Sequence, residues 1–137
     1  DTVCYNGDIN SVADYERFIG NYPDIMKVMI GRGMIADPCL AERIKSTATG
    51  RAYDWNRFFT FHDELYNNYC ESDVGRGNTM FKMKELWSYL QVGFNEIAGG
   101  SNPKTDKLMK QLRKCSICAD YDSVIRQLKL LCRQNLK

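Results

Sequence analysis

Several function classes are argued against by what this sequence lacks. Its 137 residues include one histidine, His62, so no paired-histidine metal site can be assembled from them. No Gly-x-Gly-x-x-Gly follows a strand-like run, which disfavours a dinucleotide-binding fold. No apolar run approaches the roughly 18 residues of a membrane span, and no basic segment leads into an apolar one as in a signal peptide. Internal repeats and low-complexity tracts are missing as well. The expectation is a soluble, cytoplasmic protein.

Cysteine is present but does not form an obvious framework. The six cysteines, at 4, 39, 70, 115, 118 and 132, fall mostly inside apolar helix or strand patterns, and buried free thiols are the expected state. Cys115-Ser116-Ile117-Cys118 has metal or redox spacing, but a structural zinc takes four ligands and no second such pair completes the set. Cys115 also continues the apolar stripe of Leu108, Met109 and Leu112, and so reads as a core or helix-end residue. His62 falls on an apolar helix face with no nucleophile near it in sequence, and reads as a hydrogen-bonded core residue. No metal site and no catalytic residue is assigned.

The chain is organised around Val28-Met29-Ile30-Gly31-Arg32-Gly33. Its apolar run is of the kind found in a strand buried on both faces. The glycines then let the backbone turn and approach a ligand, and Arg32 offers a planar fork of donors suited to phosphate oxygens. The alternative for Gly-Arg-Gly alone is an ordinary strand-exit turn with a solvated arginine. Asp37-Pro38 reads as the N-cap and first position of another helix. Upstream, Thr2-Val3-Cys4-Tyr5 is a second β-prone run ending in Asn6-Gly7-Asp8-Ile9. Between the runs, Ser11 to Gly20 reads as a helix capped by Ser11 and Asp14, with Val12, Tyr15, Phe18 and Ile19 on one face. Strand, helix, strand makes a parallel βαβ unit with both polar turns at the carboxyl ends of the strands, the layout of the phosphate site at the end of a (β/α)8 barrel. The chain is too short for a whole barrel of about 250 residues, and Asp1 stands almost at the start of a strand, so it reads as a cut piece.

After Lys45 the composition changes. Ser46-Thr47-Ala48-Thr49-Gly50 reads as a polar connection, dividing the chain into residues 1–50 and 51–137. Four amphipathic helices are predicted in the second part. The first runs from Trp55 to Cys70 with Asp54 as N-cap, and the second from Thr79 to Ile97, after a turn at Gly75-Arg76-Gly77-Asn78 and before Gly99-Gly100. The third opens at Asn102-Pro103 and ends near Lys114, and the fourth is capped by Asp120 and carries Tyr121, Val124, Ile125, Leu128, Leu131 and Cys132. Short connections favour an antiparallel four-helix bundle. The fold class expected is thus an α+β fragment: the C-terminal βαβ end of a TIM (β/α)8 barrel, then the bundle. Two strands are marginal as an independent sheet, so stability is expected to reside in the helices.

Charge is informative by segment. The net charge is +2, yet residues 101–137 hold nine basic and three acidic side chains. Lys107, Lys110 and Lys114 recur on one face of the third helix, with Lys104 and Arg113 near them. One reading is a solvated polar face; the other is a phosphate-tracking patch for RNA, with Lys82 and Lys84 as weaker members.

Asn6-Gly7-Asp8-Ile9, Val28 to Gly33 and Asp37-Pro38 resemble the last two strands of the tRNA-dihydrouridine synthases, flavoenzymes that reduce uridine in tRNA. Phe61-His62-Asp63-Glu64-Leu65 and Met83-Lys84-Glu85-Leu86-Trp87 are similar to the helical C-terminal domain of that family. The resemblance covers almost the whole chain. It implies FMN as cofactor, NADPH as electron donor and tRNA as substrate, with residues 1–50 as the end of the FMN barrel and 51–137 as a tRNA-binding domain. Asn6, Gly7, Asp8, Gly31 and Arg32 become the phosphate corner, where the amides of Gly7, Gly31 and Arg32 and the side chains of Asn6 and Arg32 hold the FMN phosphate. The family's catalytic cysteine lies on an earlier barrel loop that this chain does not contain, and Cys39 is not given that role. The resemblance further implies the other barrel strands as partner, self-association through exposed strands if they are missing, and an inactive isolated chain that holds FMN weakly. The alternatives are a non-catalytic RNA-binding helical module, or another FMN-dependent barrel oxidoreductase such as a dihydroorotate dehydrogenase, which leaves the basic helical tail unexplained.

Overall fold

The structure, a computed structural model, describes residues 2–46, 53–72, 77–100 and 102–134. Most of the predicted connection at Ser46 to Gly50, and Gly75-Arg76 of the predicted turn, lie outside the described residues. Among these residues the order is β1 (Cys4–Asn6), α1 (Val12–Asn21), β2 (Lys27–Met29), α2 (Arg32–Ala36), α3 (Leu40–Lys45), α4 (Trp55–Ser72), α5 (Thr79–Ile97), α6 (Pro103–Lys114) and α7 (Cys118–Gln134). The fold is α+β, mostly helical with one small parallel sheet.

The βαβ reading holds at the level of pairing. β1 and β2 are parallel, with Tyr5 opposite Val28 and Asn6 opposite Met29. Ser11 caps α1 by accepting from the Asp14 amide at 3.0 Å, and the Asp14 carboxylate reaches back to the Asn10 amide at 3.2 Å, one residue before the position a capping box would use. The face that carries Phe18 lies over the sheet, where Phe18 stacks on Tyr5 with ring centroids 4.0 Å apart. The expectation of strands buried on both faces is corrected. Val3 is 63% exposed and Met29 55% exposed, and no residue of α1 is buried, because among the described residues a two-stranded sheet has only one helix laid against it.

α2 begins at Arg32 itself, inside the Gly-Arg-Gly turn. Asp37 therefore closes α2, and the regular part of α3 starts at Leu40, later than the predicted cap. The capping chemistry survives, since the Asp37 carboxylate accepts from the Cys39 amide at 2.9 Å. Its other partners were not foreseen. Buried Asp37 also accepts from the Tyr53 hydroxyl at 2.7 Å and from Arg43 at 2.6 Å, so one carboxylate ties α3 to the chain entering α4. Paired and hydrogen-bonded on both oxygens, it meets the condition under which a buried charge is tolerated.

The core belongs to the last four helices. Trp55, Phe58 and Phe59 of α4, Met83, Trp87, Leu90 and Phe94 of α5, Leu108, Met109 and Leu112 of α6, and Tyr121, Val124, Ile125 and Leu128 of α7 form one buried cluster. These are the residues that the 3.6-residue periodicity puts on one face of each helix. α4 packs on α5 and α7, and α6 packs on α5 and α7, so each helix touches two others. α6 opens as expected, with the Asn102 side chain accepting from the Lys104 amide at 2.9 Å and Pro103 in its first turn. α7 starts at Cys118, two residues before the predicted cap, and Asp120 lies in its first turn.

The two parts of the chain are joined by a close helix crossing. α2 packs on α5 at Gly93, where an added Cβ would lie 2.0 Å from the Ala36 carbonyl oxygen. Gly33, on the same short helix, abuts the Ile9 carbonyl, which a Cβ would meet at 2.3 Å. Both glycines serve backbone approach. They seat α2 between the turn after β1 and the middle of the helical core.

Candidate phosphate and nucleic-acid sites

The residues singled out in the two strand-exit turns converge. Asn6, Gly7, Asp8, Ile9, Asn10, Gly31, Arg32 and Gly33 line one cleft of about 410 Å³ at the carboxyl ends of β1 and β2. Parallel pairing in register is what brings the turns side by side, because both strands end at the same edge. Within the cleft the Arg32 guanidinium donates to the Asp8 carboxylate at 2.6 Å. The two side chains are 69% and 75% exposed, so the pair contributes only about 0–1 kcal/mol and yields readily to a stronger acceptor. Asp8 is thus a competitor for the Arg32 fork and does not add a donor for phosphate. A second cleft of about 420 Å³ lies on the other side of the Asp8–Arg32 pair, between α2 and α5, and is edged by Asn10, Ser88, Tyr89, Val92 and Glu96. Nothing in the sequence signalled it, because it exists only through the crossing at Gly93.

The basic residues divide into two sets. Lys104, Lys107, Lys110, Arg113 and Lys114 are all exposed on α6, and the four lysines have no acidic partner within ion-pair distance among the described residues. Arg113 donates to the Gln91 side chain of α5. Lys104 and Lys107 edge a groove of about 350 Å³ between α6 and α7, where Gln111, Gln127 and Gln134 add uncharged donors. The α5 lysines point different ways, since two residues along a helix is a rotation of about 200°. Burial raises the Cys115 thiol, just past the end of α6, and the Lys84 charge opposes that rise. Lys82 lies over the Tyr69 ring at 5.0 Å, on the α4 side. Lys82 and Lys84 thus lie on different faces of α5, and the charge of Lys84 reaches the residue that follows α6.

His62 is fully buried at the centre of a polar chain. Its Nδ1 lies 2.9 Å from the Asp63 carboxylate and its Nε2 lies 2.6 Å from the Tyr121 hydroxyl. Trp87 Nε1 donates to the same hydroxyl at 2.8 Å, and Lys129 Nζ donates to Asp63 at 2.7 Å. One assignment satisfies every member: the proton sits on Nδ1 and faces Asp63, Nε2 accepts from Tyr121, and the Tyr121 oxygen accepts from Trp87. With both ring nitrogens engaged and no exposure, His62 ties α4 to α7. Partial burial acts to raise the Asp63 carboxyl, but the hydrogen bonds from His62 and Lys129 and the Lys129 charge together outweigh it and hold it below the usual carboxylate range. Burial pushes the Tyr121 hydroxyl well above its ordinary value, which keeps it a neutral donor.

All six cysteines are free, with Cys39, Cys115 and Cys132 buried, Cys70 half-buried, and Cys4 and Cys118 exposed. Among the described residues no group of three or more His, Cys, Asp and Glu side chains is placed to hold a metal ion, and no helix is long and apolar enough to cross a membrane. No family model, curated protein or solved structure matches the chain.

The polar chain gives a direct stability test. Tyr121→Phe leaves Trp87 Nε1 and His62 Nε2 buried without partners, and should cost about 2–6 kcal/mol in urea unfolding, at about 1–3 kcal/mol for each orphaned group. A loss under about 0.5 kcal/mol would show that water or repacking replaces the hydroxyl. The Asp63 shift has the opposite pH sense to a raised group: its contribution is complete above the ordinary carboxylate value of about 4 and is lost as pH falls below it. The pH dependence of unfolding below about pH 4 should therefore weaken in Asp63→Asn.

Proposed function

We propose that this chain is the C-terminal part of a cytoplasmic, flavin-dependent tRNA-dihydrouridine synthase. In this reading β1, α1 and β2 are the last βαβ unit of a (β/α)8 barrel and carry the FMN phosphate corner. The helices α4 to α7 are an antiparallel four-helix bundle that contacts tRNA. The observation that carries the reading is the single cleft at the strand ends, which gathers Asn6, Gly7, Asp8, Gly31 and Arg32 from two turns more than 20 residues apart. Barrel enzymes hold phosphate at this place, on the carboxyl side of the last strands.

The residues suit a phosphate. Arg32 supplies a planar fork, glycines line the approach, and the Asp8 pair is exposed and weak enough to be exchanged for a doubly charged acceptor. When bound, FMN supplies the hydride chemistry, with NADPH as electron donor and tRNA uridine as substrate. The part played by this chain is binding and orientation. Amides of Gly7, Gly31 and Arg32 and the side chains of Asn6 and Arg32 grip the phosphate, while the α6 lysines with Lys84 and Arg113 track the RNA backbone. The exposed edges of β1 and β2 are where the other barrel strands, or a second copy, would pair. A non-catalytic RNA-binding module is the second reading, favoured by the fact that the α6 patch is formed without any contribution from the cleft.

Titrating the chain with FMN and with riboflavin, which lacks the phosphate, separates the two readings. Amide shifts of Gly7, Gly31 and Gly33 should respond to FMN at lower concentration than to riboflavin, by about 10-fold or more for a charge-assisted contact of about 1.5–3 kcal/mol. Arg32→Ala should shrink the difference, and Asp8→Asn should tighten FMN by about two- to fivefold. Equal responses to FMN and riboflavin would leave only the RNA-binding reading.

For RNA, Lys107→Ala, Lys110→Ala and Lys114→Ala together should reduce the slope of log K against log salt by about 2–3 for tRNA, at about 0.7–0.9 per phosphate contact. Lys82→Ala should change it by less than one such contact. An unchanged slope in the triple variant would show that the α6 face is only solvated.

A further inference from the structure

The geometry points to Cys70 and Cys118 as a disulfide-forming thiol pair, which low-molecular-weight disulfides convert into a staple between the last turn of α4 and the first turn of α7. The register of these two helices sets the pair up. Lys129 meets Asp63 at 2.7 Å, and the Tyr121 ring lies 5.0 Å from the Tyr66 ring, so the partner position on α7 falls as the position on α4 rises. The helices are antiparallel. One turn beyond Tyr66 on α4 is Cys70, and one turn before Tyr121 on α7 is Cys118. The electrostatics agree with this placement, since, beside burial, Cys118 and Asp122 both act to raise the Cys70 thiol and the Tyr66 hydroxyl.

The spacing in the sequence suggests a different pair, Cys115 with Cys118. Cys115 is buried at the end of α6, and its Sγ lies 3.3 Å from the Gln111 carbonyl oxygen. It is committed to the core side of the connection, whereas Cys118 is exposed. The reactive neighbour of Cys118 therefore comes from another helix.

The two thiols suit successive steps. Burial holds the half-buried Cys70 thiol above its ordinary range, with the Tyr66 hydroxyl opposing, so exposed Cys118 is the first to meet a reagent from solution. With glutathione disulfide, the Cys118 thiolate attacks one sulfur, forming a mixed disulfide and releasing one glutathione thiolate. Cys70 then gives up its proton to solvent and attacks the Cys118 sulfur, expelling the second glutathione. Two protein thiols and one glutathione disulfide become one protein disulfide and two glutathione thiols. The bond closes a long loop containing α5 and α6, which restricts the unfolded chain.

The test is incubation of the chain with excess glutathione disulfide, followed by alkylation of remaining thiols, intact mass and peptide mapping. The expected result is a loss of two hydrogens located in a Cys70–Cys118 linked peptide, with Tm raised by at least about 5 °C and restored by reductant. Cys118→Ser, at an exposed position that should not disturb folding, should abolish the linkage and the Tm rise. Cys70→Ser should instead leave Cys118 glutathionylated. A stable mixed disulfide on Cys118 in the unsubstituted chain, a Cys115–Cys118 linkage, or no reaction would each overturn the proposal.

Discussion

The contact between Gly93 of α5 and the Ala36 carbonyl of α2 is the constraint on which the rest of the molecule depends. A helix crossing this close excludes any side chain at the glycine, and in return lets the short α2 lie directly on the helical core. From α2 the influence passes in two directions. Through Gly33 and the Ile9 carbonyl it fixes the turn after β1, and through Arg32 it places a guanidinium at the mouth of the strand-end cleft. The small sheet has little of its own to hold it: both strands are three residues long and their outward residues are exposed. The cleft owes its shape to a core that lies elsewhere.

That core is stiffened by a polar chain as well as by apolar packing. Burying a histidine, a tyrosine hydroxyl and an indole N–H among aromatic rings is costly unless each finds a partner, and here each does. Because Tyr121 comes from α7, His62 and Asp63 from α4, and Trp87 from α5, satisfying these groups fixes three helices in one register. Apolar stripes alone tolerate small slides. The hydrogen-bonded chain does not, and the register of α4 against α7 follows from it.

Much of this was legible in the sequence where the signal is local. The bounds of α5 and α6 followed from periodicity, the glycine pair after Ile97 and the Asn102-Pro103 cap, and the parallel pairing followed from repeated strand-turn grammar. The gathering of Asn6, Gly7, Gly31 and Arg32 was readable because strand direction alone dictates it. What was not legible depends on partners far apart in the chain. Tyr121 looked like one more apolar position on α7, since its hydroxyl meets residues 59 and 34 positions away. Gly93 gave no signal beyond being a glycine inside a helical pattern, although such a glycine is itself a sign of close approach. Asp37 was read as a cap, and its buried clamp on Arg43 and Tyr53 needs the fold to be seen. Asp8, assigned to the phosphate corner with its neighbours, lines that cleft and also pairs with Arg32, a partner 24 positions away that the sequence did not signal.

The central claim is that the helical core holds the cleft-bearing segment through the α2 crossing, and native-state hydrogen exchange of the chain and of Gly93→Ala tests it most directly. In the unsubstituted chain the amides of Val28 and Met29 should exchange well before those of Leu86 to Leu90, because the sheet opens without unfolding the core. In Gly93→Ala the strand and α2 amides should lose most of their remaining protection, while Trp87 and Leu90 stay protected. Equal, strong protection of the sheet and α5 in a monomer, or a sheet indifferent to the added methyl, would contradict the account and show that residues 2–46 fold on their own terms.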